Sequence, residues 1–250
     1  MKKSKLITII LIVFIVGVIV CGSVVVGVYN AFLKPQSFND YIIPVSGDGT
    51  GYYRYCYEEL NEEEKKLYSI ILSEIYTQPE KIEVPELTEG DLKKVYRALS
   101  YDNPDLFNIG LKCKMYTSGY KSFFEIDYVI DYDTYKKYIG EVEAIANVIV
   151  AEANKLTSDY EKEKYVHDYI INHCTYTTPV EGSNANNIYG CLVEGKAGCE
   201  GYSRAFQYIL NKLNIDNRVI TGEAAQDGVN YIPHMWSYVT ISGKNYFVDV

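Results

Sequence analysis

The sequence predicts an α+β chain in which self-capped helices precede and interleave with antiparallel strands. Three observations carry this. Asn61/Glu64, Thr88/Asp91 and Ser158/Glu161 each set a capping residue three positions before an acidic one, the pairing that starts a helix. Residues 111–132 alternate around Ser118-Gly119, as a hairpin does. Three short runs rich in β-branched and aromatic residues, 218–224, 234–241 and 245–250, close the sequence and read as strands.

The elements follow in order. Residues 1–5 are basic, and residues 6–28 carry no charge over 23 positions. About 20 apolar residues span a bilayer, so 6–28 is expected as an uncleaved transmembrane signal anchor. Lys2, Lys3 and Lys5 hold 1–5 as a cytoplasmic tip, and everything beyond is expected outside the cell. Residues 29–51 hold turn formers without helical period and read as a linker. Helices are expected from Asn61 and Thr88, and "YDNPDLF" (101–107) turns the chain. A long helix is expected over 134–156 with Tyr138, Val142, Ile145 and Ile149 inward, and another after Ser158. Residues 175–198 show no period and read as a loop. A boundary near 133–140 separates a small α/β domain, 52–133, from a second unit, 134–250.

Net charge is −9. Setting aside the anchor lysines leaves 21 basic against 33 acidic residues, which argues against nucleic acid or anionic lipid as a partner of the ectodomain. There are 26 tyrosines and one tryptophan; tyrosine suits a hydrogen-bonding groove as well as a core. Cys56, Cys113, Cys174, Cys191 and Cys199 lie beyond the anchor. An odd number in an extracellular setting leaves at least one thiol unpaired, and spacing assigns none of the pairs.

The stretch "EGKAGCEGYSRAF" (194–206) carries the chemistry. Cys199 stands between Gly198 and Gly201 where a loop gives way to a helix. Tyr202, Phe206, Ile209, Leu210 and Leu213 make a buried stripe, and Glu200, Ser203, Arg204, Gln207 and Asn211 take the wet side. At a helix start, unpaired N–H groups and the dipole favour a thiolate and hold an oxyanion. The two glycines are expected to leave room for substrate backbone. A lone cysteine is more often a small buried hydrophobe; the glycines and the helix start favour the nucleophile.

A thiol nucleophile needs an imidazole, and the imidazole an orienting carboxylate. His167 and His173 fall on different faces of one helix. His234 opens an alternating strand, and Asp249 stands in the next one. A four-residue loop, Thr240 to Gly243 with Gly243 left-handed, would pair Val239 with Lys244 and set His234 directly opposite Asp249. That register is the expectation; a two-residue loop at Gly243-Lys244 would set Asp249 opposite Tyr238 instead.

"LVEGKAGCEGYSRAFQYILNKLNI", "HMWSYVTISGKNYFVDV" and "HDYIINHCTYTT" together resemble the bacterial transglutaminase-like superfamily over roughly residues 141–250. The resemblance implies a papain-like core, in which a helix bearing the cysteine packs on an antiparallel sheet. It implies Cys199 as nucleophile, His234 as base and Asp249 as orienting acid. It implies acyl transfer on peptide or protein amides (hydrolysis, deamidation or transamidation) without metal or organic cofactor, with cell-wall peptide among the candidate substrates. Two positions depart from the pattern: Gly198 stands where an apolar residue is expected, and Ser237 where asparagine is. Relatives continue past Asp249 with an acidic, Trp-containing segment, which leaves two readings open: a 134–250 domain truncated at its C-terminus, or a degenerate member of the superfamily.

Two other readings use the same residues. One is a non-catalytic surface module of this fold, binding cell-wall or protein ligand with Cys199 occluded. The other is a plain structural anchor. "GCLVEGKA" (190–197) approaches a phosphate-binding loop but has Ala197 where a hydroxyl is required. His173, Cys174, Cys191 and Cys199 lack zinc-ligand spacing.

Overall fold

The computed structural model describes residues 54–85, 88–225 and 230–250. The expected cytoplasmic tip, anchor at 6–28 and linker at 29–51 lie outside them. No described helix is long and apolar enough to cross a membrane.

The first elements are α1 (Tyr55–Glu58), α2 (Glu62–Ile75), β1 (Ile82–Val84), α3 (Glu89–Asp102), β2 (Ile109–Ser118) and β3 (Lys121–Tyr128). The first two of the three predicted capping boxes form here: Asn61 Oδ1 accepts from Glu64 N at 3.0 Å, and Thr88 Oγ1 accepts from Asp91 N at 3.2 Å. The hairpin closes at Gly119-Tyr120, with Ser118 paired to Lys121 and Gly119 at φ +66°. The strand β1 joins it, giving an antiparallel order β1-β3-β2.

The second part runs through α4 (Tyr132–Ala153), α5 (Asp159–His173), β4 (Thr175–Tyr176), a π-helical turn (Gly190–Glu194), β5 (Lys196–Ala197), α6 (Cys199–Lys212), β6 (Asn217–Ala225), β7 (Tyr231–Ile241) and β8 (Lys244–Val248). Helix α4 starts two residues before the expected position because Asp131 caps it, accepting from Thr134 N at 3.0 Å. The expected loop at 175–198 contains two structured pieces: β4 and β5 pair in parallel, and the π-helical turn ends at Gly195 with φ +67°. Strands β6, β7 and β8 form an antiparallel sheet in that order.

Helix α6 lies at the centre, and its wet side is a correction. Ser203, Arg204, Gln207 and Asn211 are as buried as the apolar stripe. The last turn of α3 explains two of them. A helix end leaves its final carbonyls without partners, and here Arg204 Nη1 donates to Ser100 O at 2.7 Å while Gln207 Nε2 donates to Tyr101 O at 2.9 Å. Asn217 Nδ2 donates to Asn211 Oδ1 at 2.9 Å. The polar face of α6 therefore carries the docking of α3 and of the loop into β6. Its apolar face packs Phe206, Ile209 and Leu210 against Val142, Ile149, Val166 and Ile170 of α4 and α5. Each such side chain contributes about 1.5–3 kcal/mol on burial.

Candidate active site

Cys199 is the first residue of α6 and is half-buried. Its N-cap, Gly198, has extended backbone and offers no side chain to cap the first N–H groups, which a helix start leaves without intrahelical partners. The flanking glycines make room for the protein itself, not for substrate as expected. A Cβ on Gly201 would stand 2.5 Å from Ala185 O and 2.8 Å from Ala197 Cβ. One on Gly198 would stand 2.9 Å from Pro179 Cγ. The segment 177–187 is folded tightly against the helix start, with Gly198 N donating to Ala185 O at 2.9 Å.

Sequence reasoning missed Tyr176. Its hydroxyl lies within hydrogen-bonding reach of both the Cys199 N–H and the Cys199 sulfur, and it senses the Asp249 carboxylate. Burial, then the charge of Cys199, pushes the phenol pKa above its ordinary value. A phenol oxygen facing the N–H of N1 occupies the place an oxyanion would take. The signal in the sequence was only "CTYTT", a tyrosine in an aperiodic run.

His234 and Asp249 meet. His234 Nε2 is 3.0 Å from each carboxylate oxygen of Asp249; the imidazole is 18% exposed and the carboxylate 66%. The register is not the expected one. Ile241 pairs with Lys244 and Val239 with Tyr246, so the loop is Ser242-Gly243. Ser242 (φ +51°) and Gly243 (φ +73°) both take left-handed conformations, as a two-residue type I′ turn requires. Such a turn matches strand twist, and the serine accepts a conformation that the expected register reserved for glycine. Continuing the ladder puts Trp236 opposite Asp249 and leaves His234 on the diagonal. Diagonal neighbours share a face and lie within reach of long side chains, so the pair forms by side-chain reach. Trp236 stacks beside His234 at 5.9 Å between ring centroids. Its indole crosses Gly222, the partner of His234 on β6, where a Cβ would stand 2.6 Å from the ring.

The helix and the ribbon cross at a fixed point: Ser203 Oγ donates to Met235 O at 3.0 Å. Cys199 lies one turn of α6 before Ser203, and His234 one residue before Met235. Among the described residues no hydrogen bond joins Cys199 to His234. Nε2 is turned to Asp249, and Nδ1 is the other ring nitrogen. The other histidines are engaged elsewhere: His167 Nδ1 meets Asp168 at 3.1 Å, and His173 stacks on Tyr169 with Nδ1 2.7 Å from Tyr169 O. Ser237, at the position expected to hold asparagine, is fully buried between Val219 and Val248. Among the described residues no group of three or more His, Cys, Asp or Glu side chains is placed to hold a metal ion.

Residues 143–249 match the family model of the transglutaminase-like superfamily, and this stretch of the chain is a transglutaminase-like domain. No curated protein matches the sequence. Among solved structures, a transglutaminase is similar at 18% identity, over 68% of this chain and 50% of that one, with a TM-score of 0.38. A protein from Cytophaga hutchinsonii provisionally described as a cysteine protease is similar at 12% identity, over 56% of this chain and 61% of that one, with a TM-score of 0.37. The periplasmic domain of TgpA from Pseudomonas aeruginosa is similar at 15% identity, over 51% of this chain and 54% of that one, with a TM-score of 0.33. The chain spans about half the length of the first of these.

Proposed function

We propose that the chain is a membrane-anchored, extracellular cysteine enzyme that transfers acyl groups from peptide or protein amides, using Cys199, His234 and Asp249. The observation that carries this reading is the 3.0 Å contact of His234 Nε2 with Asp249, one residue from the point where β7 crosses the helix that begins at Cys199. His234 Nδ1 takes the thiol proton. The thiolate attacks the amide carbonyl carbon as the Tyr176 hydroxyl moves aside, and the Cys199 N–H holds the oxyanion. The C–N bond breaks, the amine leaves with the proton from His234, and water or a second amine resolves the thioester. The Asp249 carboxylate fixes the tautomer and stabilises the imidazolium throughout.

Iodoacetamide labelling with peptide mass spectrometry tests this. At neutral pH Cys199 is expected to label ahead of Cys56 and Cys113, and Cys199→Ala to lose the fast label. Burial raises the thiol pKa of Cys113 and pushes Cys56 up to about 12, which keeps both slow. Labelling of Cys199 no faster than theirs would remove the mechanism.

One observation favours the second reading, a non-catalytic surface module: the Tyr176 hydroxyl faces the nucleophile's own N–H. That reading expects Cys199 to stay slow even after Tyr176→Ala.

The uncharged run at 6–28 behind Lys2, Lys3 and Lys5 supports a single-pass anchor with the enzyme outside the cell. Cleavage of the 134–250 region by protease added to intact cells is the expected result. Protection until the cells are lysed would place the enzyme inside.

A further inference from the structure

Cys174 and Cys191 are remote in the sequence and adjacent in space. Cys174 is the C-cap of α5, and Cys191 sits in the π-helical turn. They are 7% and 3% exposed and belong to one buried cluster with Ala197, Tyr202 and Phe206. Their sulfurs lie within hydrogen-bonding reach of each other. Neither thiol belongs to the acyl-transfer machinery.

We propose that Cys174 and Cys191 form a disulfide that staples the frame of the nucleophile. The closed ring runs from 174 to 191, 18 residues, and it contains the groups packed on the start of α6. Tyr176 faces Cys199. Pro179 abuts Gly198, and Ala185 O fills the space at Gly201 and accepts from Gly198 N. Tyr202, within the first turn of α6, donates from its hydroxyl to Cys174 O at 2.6 Å. The bridge thus ties both ends of this frame to the α5–α6 layer. It also withdraws two thiols from competition with Cys199, which must stay reduced.

The oxidant is a small-molecule disulfide, RSSR. The Cys174 thiolate attacks one sulfur, forming a mixed disulfide and releasing RS⁻. Cys191 loses its proton and attacks the Cys174 sulfur, and the second RS⁻ leaves. The protons from the two cysteines end on the two released thiols, so two cysteines are oxidised and one RSSR is reduced. The order of attack follows the environment. The hydrogen bond from Cys191 holds the Cys174 pKa below its ordinary value, and the same contact, with burial, raises that of Cys191.

The test uses the full chain with oxidised glutathione, followed by alkylation, non-reducing digestion and mass spectrometry. A cross-linked peptide pair joining 174 to 191, lighter by two hydrogen atoms, is expected, with Cys199 still alkylated. Against the reduced protein, melting is expected to rise by about 5–10 °C, from the entropy of closing a ring of this size. Cys191→Ser and Cys191→Val should both lose the cross-link and the rise; the valine variant preserves apolar packing and separates the bridge from a folding defect. Two alkylated cysteines at 174 and 191 after oxidation, a stalled glutathione adduct on Cys174, or a bridge to another cysteine would each overturn the proposal. None of these results depends on whether Cys199 is a nucleophile, which the labelling rate decides separately.

Discussion

His234 and Asp249 are joined through a diagonal of the β7–β8 ladder, with Nε2 3.0 Å from both carboxylate oxygens while Val239 pairs with Tyr246. A carboxylate on the diagonal reaches the far nitrogen of the ring, and this leaves Nδ1 free. Asp249→Asn retains the shape and lets the amide hydrogen-bond either tautomer. The alkylation rate of Cys199 at pH 6.5 is expected to fall at least about tenfold, because in the proposed mechanism the imidazolium that pairs with the thiolate loses its counter-charge. An unchanged rate would show that Asp249 does not act through His234.

The Tyr176 hydroxyl interacts with both the N–H and the thiol of Cys199, so access and nucleophilicity need separate readings. In Tyr176→Ala, labelling by a bulky maleimide is expected to rise severalfold relative to labelling by iodoacetamide. The ratio cancels any change in thiolate content. A constant ratio would mean that the tyrosine does not gate the site.

Gly201→Ala places a methyl group 2.5 Å from Ala185 O. A backbone oxygen cannot turn aside as a side chain can, so the variant is expected to lose about 1–3 kcal/mol or more of stability in denaturant titration. Loss of substrate binding at unchanged stability would instead restore the view that this glycine makes room for substrate.

Ser203 fixes the crossing of helix and ribbon. Ser203→Ala leaves the Met235 carbonyl without this donor and is expected to cost about 1–3 kcal/mol. Because His234 is the preceding residue, the Cys199 labelling rate should fall along with stability. A stability loss alone would make the bond structural only.

Asp102 caps α1 from the end of α3, accepting from Cys56 N at 3.0 Å and Tyr57 N at 2.7 Å. Burial raises its pKa from 3.8 to about 6 despite these donors. The folded state therefore binds the proton more tightly than the unfolded one, and this group's contribution to stability declines as pH rises from about 4 to 6, then levels off. The wild type is expected to lose about 2–3 kcal/mol over that window relative to Asp102→Asn. Parallel pH profiles for the two proteins would refute this.

Much of the fold was legible because the signals are local. The boxes at Asn61, Thr88 and Ser158 each bond groups three residues apart, so no distant segment can alter them. The hydrophobic periods of α4 and α6 and the alternation of β7 likewise declared each element. The face of α6 was not legible. Arg204 and Gln207 are polar, and only the arrival of the α3 carbonyls at Ser100 and Tyr101 makes their burial favourable. The ribbon's register also escaped, since Ser242 gives no local sign that it will take a positive φ.

The residue types alone determined that a cysteine opens a helix and that a histidine and an aspartate share one strand face. Which side chains touch was decided by the tertiary structure. A side-chain period of two fixes the face but not the partner, so a type I′ turn could move Asp249 to the diagonal and still leave it on His234. The sulfurs of Cys174 and Cys191 were brought together in the same way, by a loop whose path no local rule prescribes.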